Sequence, residues 1–457
     1  MGLFNKIGQL KEYKSGIKHC TFDPDGPGVV RIHLTPPKFK LFGNPDYIVI
    51  LNGYYLLPLG YSWAVTLSAF MTEVNALCKR ELDDDDQRAI VKRTVSRAAK
   101  VYPMVSKKDI EEDLFDMLDI LFAVARGGDA GIDVGKLSIR KYAKNMTAPH
   151  RVDLMVSAMT DGDGRWKCNQ KCLFCYAAGE PMAKSRELST EEWIDAIGRL
   201  KQAGVPMVTF TGGEPTQRED LCTLIDSARW FVTRLNTNGV LLTEKLCREL
   251  REASLDSVQI TLYSGDEATH NALVGSEHYV DTVKGIKNAV AAGLDVSVNT
   301  PLCKKNADYL KTLELVRSLG VHFVTVSGLI CTGTAGTNHD DYDLTAEELF
   351  SIVRAAREYC TENDMEIDFT SPGLIDGDKL EGIGMNVPSC GACLSNMAIA
   401  PDGQVIPCQS WLRCGSGLGN ILSDDWKRIW NDQKCRKLRN MTEEEALGCP
   451  FRREGAR

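Results

Sequence analysis

The chain has 457 residues, too many for one ordinary core, so two or three domains are expected. Hydrophobic residues make up 43% and charged residues 25%, as in soluble globular proteins, and a dispersed net charge of −8 argues against nucleic acid as the main partner. Sixteen cysteines behind an opening stretch that is short, polar and unlike a secretory leader argue against a disulfide scaffold and point to a reduced, cytoplasmic compartment.

Residues 1–145 read as a domain of their own, of winged-helix-like α+β character. Strand patterns at Val29–Leu34 and Tyr47–Leu57 lead into an apolar helix near Trp63–Leu77. The uncharged run Tyr47–Thr72 is long enough to cross a bilayer, but Asn52, Gly53, Pro58 and Gly60 interrupt it. Asn52-Gly53 between two apolar runs is the signal of a tight hairpin turn, so a buried hairpin plus helix is expected there and no membrane span. The acidic run Asp83–Asp86 suits a helix N-terminus. Helical patterns follow at Arg88–Val101 and Lys108–Ala125, the second with an apolar stripe of Ile110, Leu114, Met117, Leu118, Leu121 and Phe122. Gly127, Gly128 and Gly131 mark a linker.

From Arg151 the pattern alternates. Strands are predicted at Val152–Met159, Met207–Thr211, Thr233–Thr237, Ser257–Tyr263, Val296–Thr300 and Phe323–Ser327. Helices are predicted between and after them at Thr190–Ala203, Arg218–Arg229, Thr243–Ala253, Tyr279–Ala292, Asp308–Leu319 and Ala346–Glu362. Six βα units imply an α/β fold with a parallel sheet, too short for an eightfold barrel and therefore a partial (β/α)6 barrel over residues 146–375. Sites in such sheets lie at the carboxyl ends of the strands. Residues 376–457 form a cysteine-dense, turn-rich third region with a helical pattern only at Trp426–Leu438.

The loop after the first of these strands reads K-C-N-Q-K-C-L-F-C-Y. Cys168, Cys172 and Cys175 can ligate three corners of a 4Fe–4S cluster, and no nearby cysteine supplies the fourth. An iron left open can bind and reduce a substrate, which points to an enzyme rather than an electron carrier. A structural zinc knuckle is the alternative, but zinc prefers four closed ligands. After the second strand comes T-G-G-E-P, Thr211–Pro215, in which Gly212 and Gly213 permit close backbone approach and Glu214 can accept a charge-assisted bond from an ammonium.

Cysteine motif, T-G-G-E-P and six βα units in this order resemble the radical S-adenosylmethionine superfamily over roughly residues 150–370. The resemblance implies that the open iron chelates S-adenosylmethionine, whose reductive cleavage yields a 5′-deoxyadenosyl radical that abstracts hydrogen. It also implies that Phe174 lies near the adenine, that Gly212, Gly213 and Glu214 meet the cosubstrate, and that a reducing donor such as flavodoxin or ferredoxin is needed. Asn236, Asn238, Gln259, Ser264 and Asn299, at later strand ends, occupy positions where such proteins bind ribose and carboxylate, against a plain reading as sheet-end polarity. Gly328, Gly333 and Gly336 either approach the adenine or shape a loop. No acid or base can be picked.

The third region resembles SPASM and Twitch domains through Cys393, Gly403 and Cys408, then Gly419–Ile421 with Trp426 and Trp430. It lacks the full SPASM cysteine set, so the resemblance implies one auxiliary 4Fe–4S cluster on Cys390, Cys393 and Cys408. Cys449 is expected as the fourth ligand, with Cys414, Cys435 or a substrate as rivals; a zinc ribbon is the alternative. Such a cluster accepts an electron or ligates a peptide thiolate. Cys20, Cys78, Cys222, Cys247, Cys303, Cys331 and Cys360 are expected to be buried apolar thiols. A hairpin followed by three helices ahead of the barrel resembles the peptide-recognition domain of ribosomal peptide maturation pathways, which takes a precursor leader as an added strand on the hairpin edge. The combination implies a radical S-adenosylmethionine peptide maturase forming a thioether or a related crosslink, with no nucleic-acid or membrane partner. A small molecule, or a residue on a folded protein, is the alternative substrate; a non-enzymatic iron–sulfur protein is the alternative class.

Overall fold

The computed structural model describes residues 17–22, 29–36, 47–77, 82–161 and 163–450; Cys78 lies outside them. The chain divides into two compact units, Met1–His150 and Arg151–Arg457.

In the first unit β1 (Lys18–Phe22), β2 (Val30–Thr35), β3 (Tyr47–Leu51) and β4 (Tyr55–Leu59) form an antiparallel sheet in that order. The expected hairpin is β3–β4. Its corner residues Asn52 and Gly53 have φ of +49° and +72°, the left-handed geometry that Asn and Gly tolerate best. Asn52 does more than turn the chain. Its Oδ1 accepts from the Arg31 N–H at 2.8 Å and its Nδ2 donates to the Ala125 carbonyl at 3.1 Å, so the corner is tied to β2 and to the end of a helix.

Three helices follow, Tyr61–Asn75, Asp84–Val101 and Lys107–Ala125; the first and third pack on the sheet and the middle one packs on both of them. Asp83 and Ser106 cap the last two by accepting from Asp86 and Asp109 N–H groups, which is why the acidic run begins a helix. Alternate residues Val30, Ile32, Leu34, Val49 and Leu51 pack on Leu67, Met71, Leu114 and Leu121. Among the described residues no helix is long and apolar enough to cross a membrane.

The second unit holds a ten-stranded sheet. Its parallel part runs β5 (Arg151–Ser157), β6 (Met207–Gly212), β7 (Val232–Thr237), β8 (Ser257–Thr261), β9 (Asp295–Pro301), β10 (Phe323–Ser327) and β11 (Glu366–Phe369), each beside its predecessor. All six expected strands are present; β11 is a seventh, beyond the expected six. The expected helices also form, with Thr190–Ala203 and Ala346–Glu362 at the expected ends, each behind a capping box. The C-terminal region adds to the same sheet. β12 (Asn396–Ile399) runs parallel to β5, and β13 (Gln404–Ile406) and β14 (Gly419–Asn420) continue antiparallel. The helical pattern at Trp426–Leu438 is two helices, Trp426–Trp430 and Gln433–Arg439, because Asp432 starts the second by accepting from Lys434 and Cys435 N–H groups.

Alternation sorts the parallel strands into two faces. Val152, Leu154, Val208, Phe210, Leu235, Val258, Ile260, Val298, Val324 and Val326 are buried on the outer face. The inner face is polar. Asp153, Thr209, Arg234 and Ser257 share one register row, Asn236, Gln259 and Ser297 a second, and Thr261, Asn299, Thr325 and Asp368 a third.

Replacing Asn52 tests the corner of the first unit. Asn52→Ala loses both side-chain bonds and the favoured backbone conformation, and is expected to cost roughly 1–3 kcal/mol in denaturant unfolding. Asn52→Gly restores the conformation alone and should recover only part of that loss.

Candidate functional site

The cysteine loop leaves the carboxyl end of β5 and is held from one side by a helix that the sequence pattern does not show, Glu267–Val274. Lys171 and Leu173 N–H groups donate to the carbonyls of Val274 and Leu273, both at 2.9 Å, and Trp166 Nε1 donates to the Gln170 carbonyl at 2.8 Å. Phe174 is buried and meets Tyr342 edge-on, with 5.3 Å between ring centroids, in an apolar cluster with Tyr263 and Leu273.

Burial pushes the thiol of Cys168 up to about 12, and Glu214 and Cys175 push the same way; burial, then Cys175 and Cys168, raises Cys172. Cys175 is raised by burial, partly offset by the Ala177 and Ala178 N–H groups. The three thiols thus sit close enough to oppose one another's ionisation, a repulsion that bound metal reverses. Among the described residues no three side chains are drawn together as for a single ion. A cubane cluster holds its ligands wider apart than one ion does. The surroundings fit such a group: Asn169 Nδ2 and Gln170 Nε2 are buried donors without a partner on the two residues after Cys168, and the Oδ1 and Oε1 of the same amides lie 3.9 and 3.7 Å from the Cys168 and Cys172 sulfurs.

The T-G-G-E-P turn packs straight onto the end of β5. Gly212 has φ +141°, and a Cβ there would stand 2.3 Å from the Ser157 carbonyl oxygen; one on Gly213 would stand 2.8 Å from that of Ala158. Gly213 N–H donates to the Ser157 carbonyl at 2.8 Å and Glu214 N–H to Ser157 Oγ at 3.0 Å. Cys168 Sγ lies 3.6 Å from the Gly213 carbonyl oxygen.

Glu214 is buried, and burial pushes its carboxyl up against the pull of Asn238, Thr216 and Thr237. Oε1 accepts from Thr216 N–H at 3.0 Å, Thr216 Oγ1 at 2.5 Å and Thr237 Oγ1 at 2.7 Å; Oε2 accepts from Asn238 N–H at 2.8 Å. The carboxyl therefore joins the ends of β6 and β7, and Oε2 keeps one acceptor position. Asn238 Nδ2 donates to Asn169 Oδ1 at 2.6 Å, which carries the network back into the cysteine loop.

The other expected residues spread over the inner face and its rim. Asn236 and Gln259 are register partners, and Asn236 Oδ1 is buried without a partner. Asn299 Oδ1 accepts from Thr325 Oγ1 at 2.9 Å. Ser264 is buried and its Oγ accepts from Asp266 N–H at 3.1 Å, a local turn bond. Asp153, Thr209, Arg234 and Asp368 share this inner face and were not singled out from sequence; the alternation of polar with apolar residues in each strand was the available signal.

In the C-terminal region burial pushes Cys408 up to about 12, with Cys390, Cys449 and Asp153 adding to it. Cys393, at φ +59°, has its N–H between the carbonyls of Asn396 and Pro407, at 2.9 and 3.2 Å. Its thiol is raised first by a bond to Cys435 and then by burial, with Cys408 also near. Cys435 is lowered by Cys393 and by Arg439, whose Nη1 lies 3.3 Å from the sulfur. Cys390 N–H donates to the Ala446 carbonyl at 2.7 Å, which brings the segment that carries Cys449 to that of Cys390, and Cys435 lies against Cys393. Cys414 is exposed. Of the thiols expected to be buried, Cys20, Cys247, Cys303 and Cys360 are; Cys222 and Cys331 are only part-buried, Cys222 one residue into a seven-residue helix and Cys331 in the loop after β10.

Residues 167–316 match the radical SAM superfamily and residues 390–450 the SPASM iron–sulfur cluster-binding domain. The chain is a radical SAM enzyme with a SPASM domain. A radical SAM domain implies a 4Fe–4S cluster and S-adenosylmethionine, and a SPASM domain implies auxiliary iron–sulfur chemistry. Among solved structures the chain is similar to SuiB from Streptococcus suis bound to the precursor peptide SuiA, at 16% identity and a TM-score of 0.58, over 86% of this chain and 87% of that one. It is also similar to anSMEcpe with bound AdoMet, at 17% identity and a TM-score of 0.51, over 65% of this chain and 82% of that one. These likenesses show the fold.

The radical SAM domain should tolerate added methyl groups very unevenly. Gly212→Ala forces strained backbone into the Ser157 carbonyl and is expected to cost roughly 1–3 kcal/mol or more in thermal unfolding. Gly198→Ala, in a helix with nothing within 4 Å of the new methyl, is expected to stabilise by about 0.5–1 kcal/mol. Equal effects would contradict the packing described for the turn.

Proposed function

We propose that this radical SAM enzyme modifies a ribosomally made precursor peptide, forming a thioether or a related crosslink. The observation that carries the reading is the four-stranded sheet and three helices of residues 17–125, a folded unit ahead of the barrel that the chemistry itself does not need. The likeness to SuiB takes in more of the chain than residues 151–457 make up, so it includes part of this unit. SuiB is described with its precursor peptide bound, and anSMEcpe with bound AdoMet and the Kp18Cys peptide. Both support a peptide as guest here.

In this reading Cys168, Cys172 and Cys175 hold the first cluster, and Cys390, Cys393, Cys408 and Cys449 the auxiliary one, with Cys435 as the rival that already touches Cys393. A cluster bound by Cys168, Cys172 and Cys175 would supply the electron for reductive cleavage of S-adenosylmethionine. The chain's own contributions are binding and orientation. Gly212 and Gly213 let the turn pack on the end of β5 and so set Glu214 in place, and the free acceptor position on Glu214 Oε2 takes the ammonium of the cosubstrate. Asn236 and Gln259 offer polar groups at mid-sheet. Burial of Phe174 among Tyr263, Leu273 and Tyr342 walls the loop from water on that side.

The leader peptide adds to an edge of the first unit's sheet. The hairpin edge, β4, is narrower than its sequence suggests. Leu137 N–H already donates to the Leu56 carbonyl at 2.8 Å, and Pro58 has no N–H to give. The other edge strand, β1, is the second place for a leader.

Two measurements test the reading. Anaerobically reconstituted, dithionite-reduced protein is expected to release 5′-deoxyadenosine, and Cys172→Ser to abolish that release; no release from the unaltered chain would favour a non-enzymatic iron–sulfur protein. Removing residues 1–145 is expected to leave 5′-deoxyadenosine formation in place while peptide binding weakens at least about tenfold, the scale of one lost interface anchor. Unchanged peptide binding in a truncated protein that still cleaves the cosubstrate would return the small-molecule or folded-protein reading.

A further inference from the structure

The segment that follows β10 lies across the cysteine loop and occupies its carbonyls. Thr332 Oγ1 donates to the Tyr176 carbonyl at 2.9 Å, and Thr334 N–H donates to that of Cys175 at 3.0 Å. Thr334 Oγ1 reaches the carbonyls of Cys172 and Cys175 at 3.2 and 3.3 Å, and Asn338 Nδ2 that of Leu173 at 3.0 Å. Gly333 N–H donates to Glu180 Oε1 at 3.0 Å. Gly333 has φ +59°, and a Cβ there would lie 2.3 Å from the Cys175 carbonyl oxygen and 2.7 Å from the Tyr176 carbonyl carbon. Four carbonyls of one short loop are therefore fixed by one segment far away in sequence, at a contact too close for any side chain.

A carbonyl and the following N–H belong to one rigid plane and point in opposite directions. Holding the Tyr176 carbonyl toward Thr332 turns the Ala177 N–H the other way. That N–H and the N–H of Ala178 are the groups that pull against the effect of burial on the Cys175 thiol. Hydrogen bonds to ligating sulfurs are among the quantities that set the reduction potential of an iron–sulfur centre, and groups behind the ligands set how firmly it is held.

We infer that Thr332, Gly333, Thr334 and Asn338 form a clasp that locks the peptide orientation of the cysteine loop, and so tunes the potential and the retention of an iron–sulfur centre on Cys168, Cys172 and Cys175. The inference rests on those three cysteines being the ligands. The four clasp residues are positioning residues. They act through the backbone of Cys172–Tyr176.

The test uses the full chain, reconstituted anaerobically, and follows the reduced-cluster EPR signal that responds to added S-adenosylmethionine. Thr332→Val and Thr334→Val remove a donor at nearly constant volume. Both are expected to move the midpoint of that signal to lower potential and to speed loss of its iron to a chelator about tenfold or more. Thr332→Ser and Thr334→Ser restore the hydroxyl and are expected to restore both readings, which a mere packing role would not require. Asn338→Ala, at the far end of the clasp, is expected to shift the same readings in the same direction if the valine variants fold poorly. Wild-type potential and iron retention in all three donor-deleted variants, alongside loss of the responsive signal in Cys172→Ser, would overturn the clasp while leaving the ligand reading intact. Survival of that signal in Cys172→Ser would overturn both.

Discussion

The second unit depends on one close approach: the Gly212–Gly213 turn at the end of β6 lies in backbone contact with the end of β5. The two strands are still paired there, Ser157 with Gly212 just past a register shift, and a side chain on either glycine would force them apart. Because they stay together, Ser157 receives the Gly213 and Glu214 N–H groups, and Cys168 comes to rest against Gly213. Glu214 then reaches Thr237 and Asn238 on the next strand end, and Asn238 returns to Asn169 in the cysteine loop. Loop, turn and third strand end thus form one hydrogen-bonded circuit, so the position of Cys168 is set by contacts with β5, β6 and β7 together.

The circuit sits over a sheet whose faces have opposite characters. The outer face carries the valines, leucines and isoleucines that bury against helices and supply the hydrophobic driving force. The inner face carries Asp153, Thr209, Arg234, Asn236, Gln259, Asn299, Thr325 and Asp368. Full barrels fill their interior with branched apolar side chains; this partial barrel does not. Some inner groups satisfy one another, as Thr325 and Asn299 do, but Thr209 Oγ1 and Asn236 Oδ1 are buried without partners. Buried polar groups left unbonded cost free energy, so the inner face is poorly suited to be a dry core and well suited to a polar guest.

Much of this was legible in the chain because it is local. The Asn52-Gly53 corner, the caps at Asp83 and Ser106, and the valine-rich parallel strands follow from turn geometry, helix N-terminal donors and periodicity. β11 escaped notice because Glu366-Ile367-Asp368-Phe369 is four residues long and half charged, as suits the edge of a sheet. Helix Glu267–Val274 escaped because it is short and follows the polar turn Ser264–Asp266; its value lies in two carbonyls at its end that hold Lys171 and Leu173. The apparent helix at Trp426–Leu438 breaks at Asp432 because a carboxylate accepting two N–H groups starts a helix better than it continues one.

The spacing of Cys168, Cys172 and Cys175, the paired glycines before Glu214 and the strand–helix alternation were set by sequence alone, since each is a matter of residues a few positions apart. Which distant groups meet was decided only in three dimensions. No spacing rule joins Thr332, Thr334 and Asn338 to the carbonyls of the cysteine loop, sets Cys435 rather than Cys414 against Cys393, or lays β12 beside β5 to carry the C-terminal cysteines onto the barrel sheet. Those pairings join segments far apart in the chain, and the packing of whole elements, which no short window of sequence contains, selects among the alternatives.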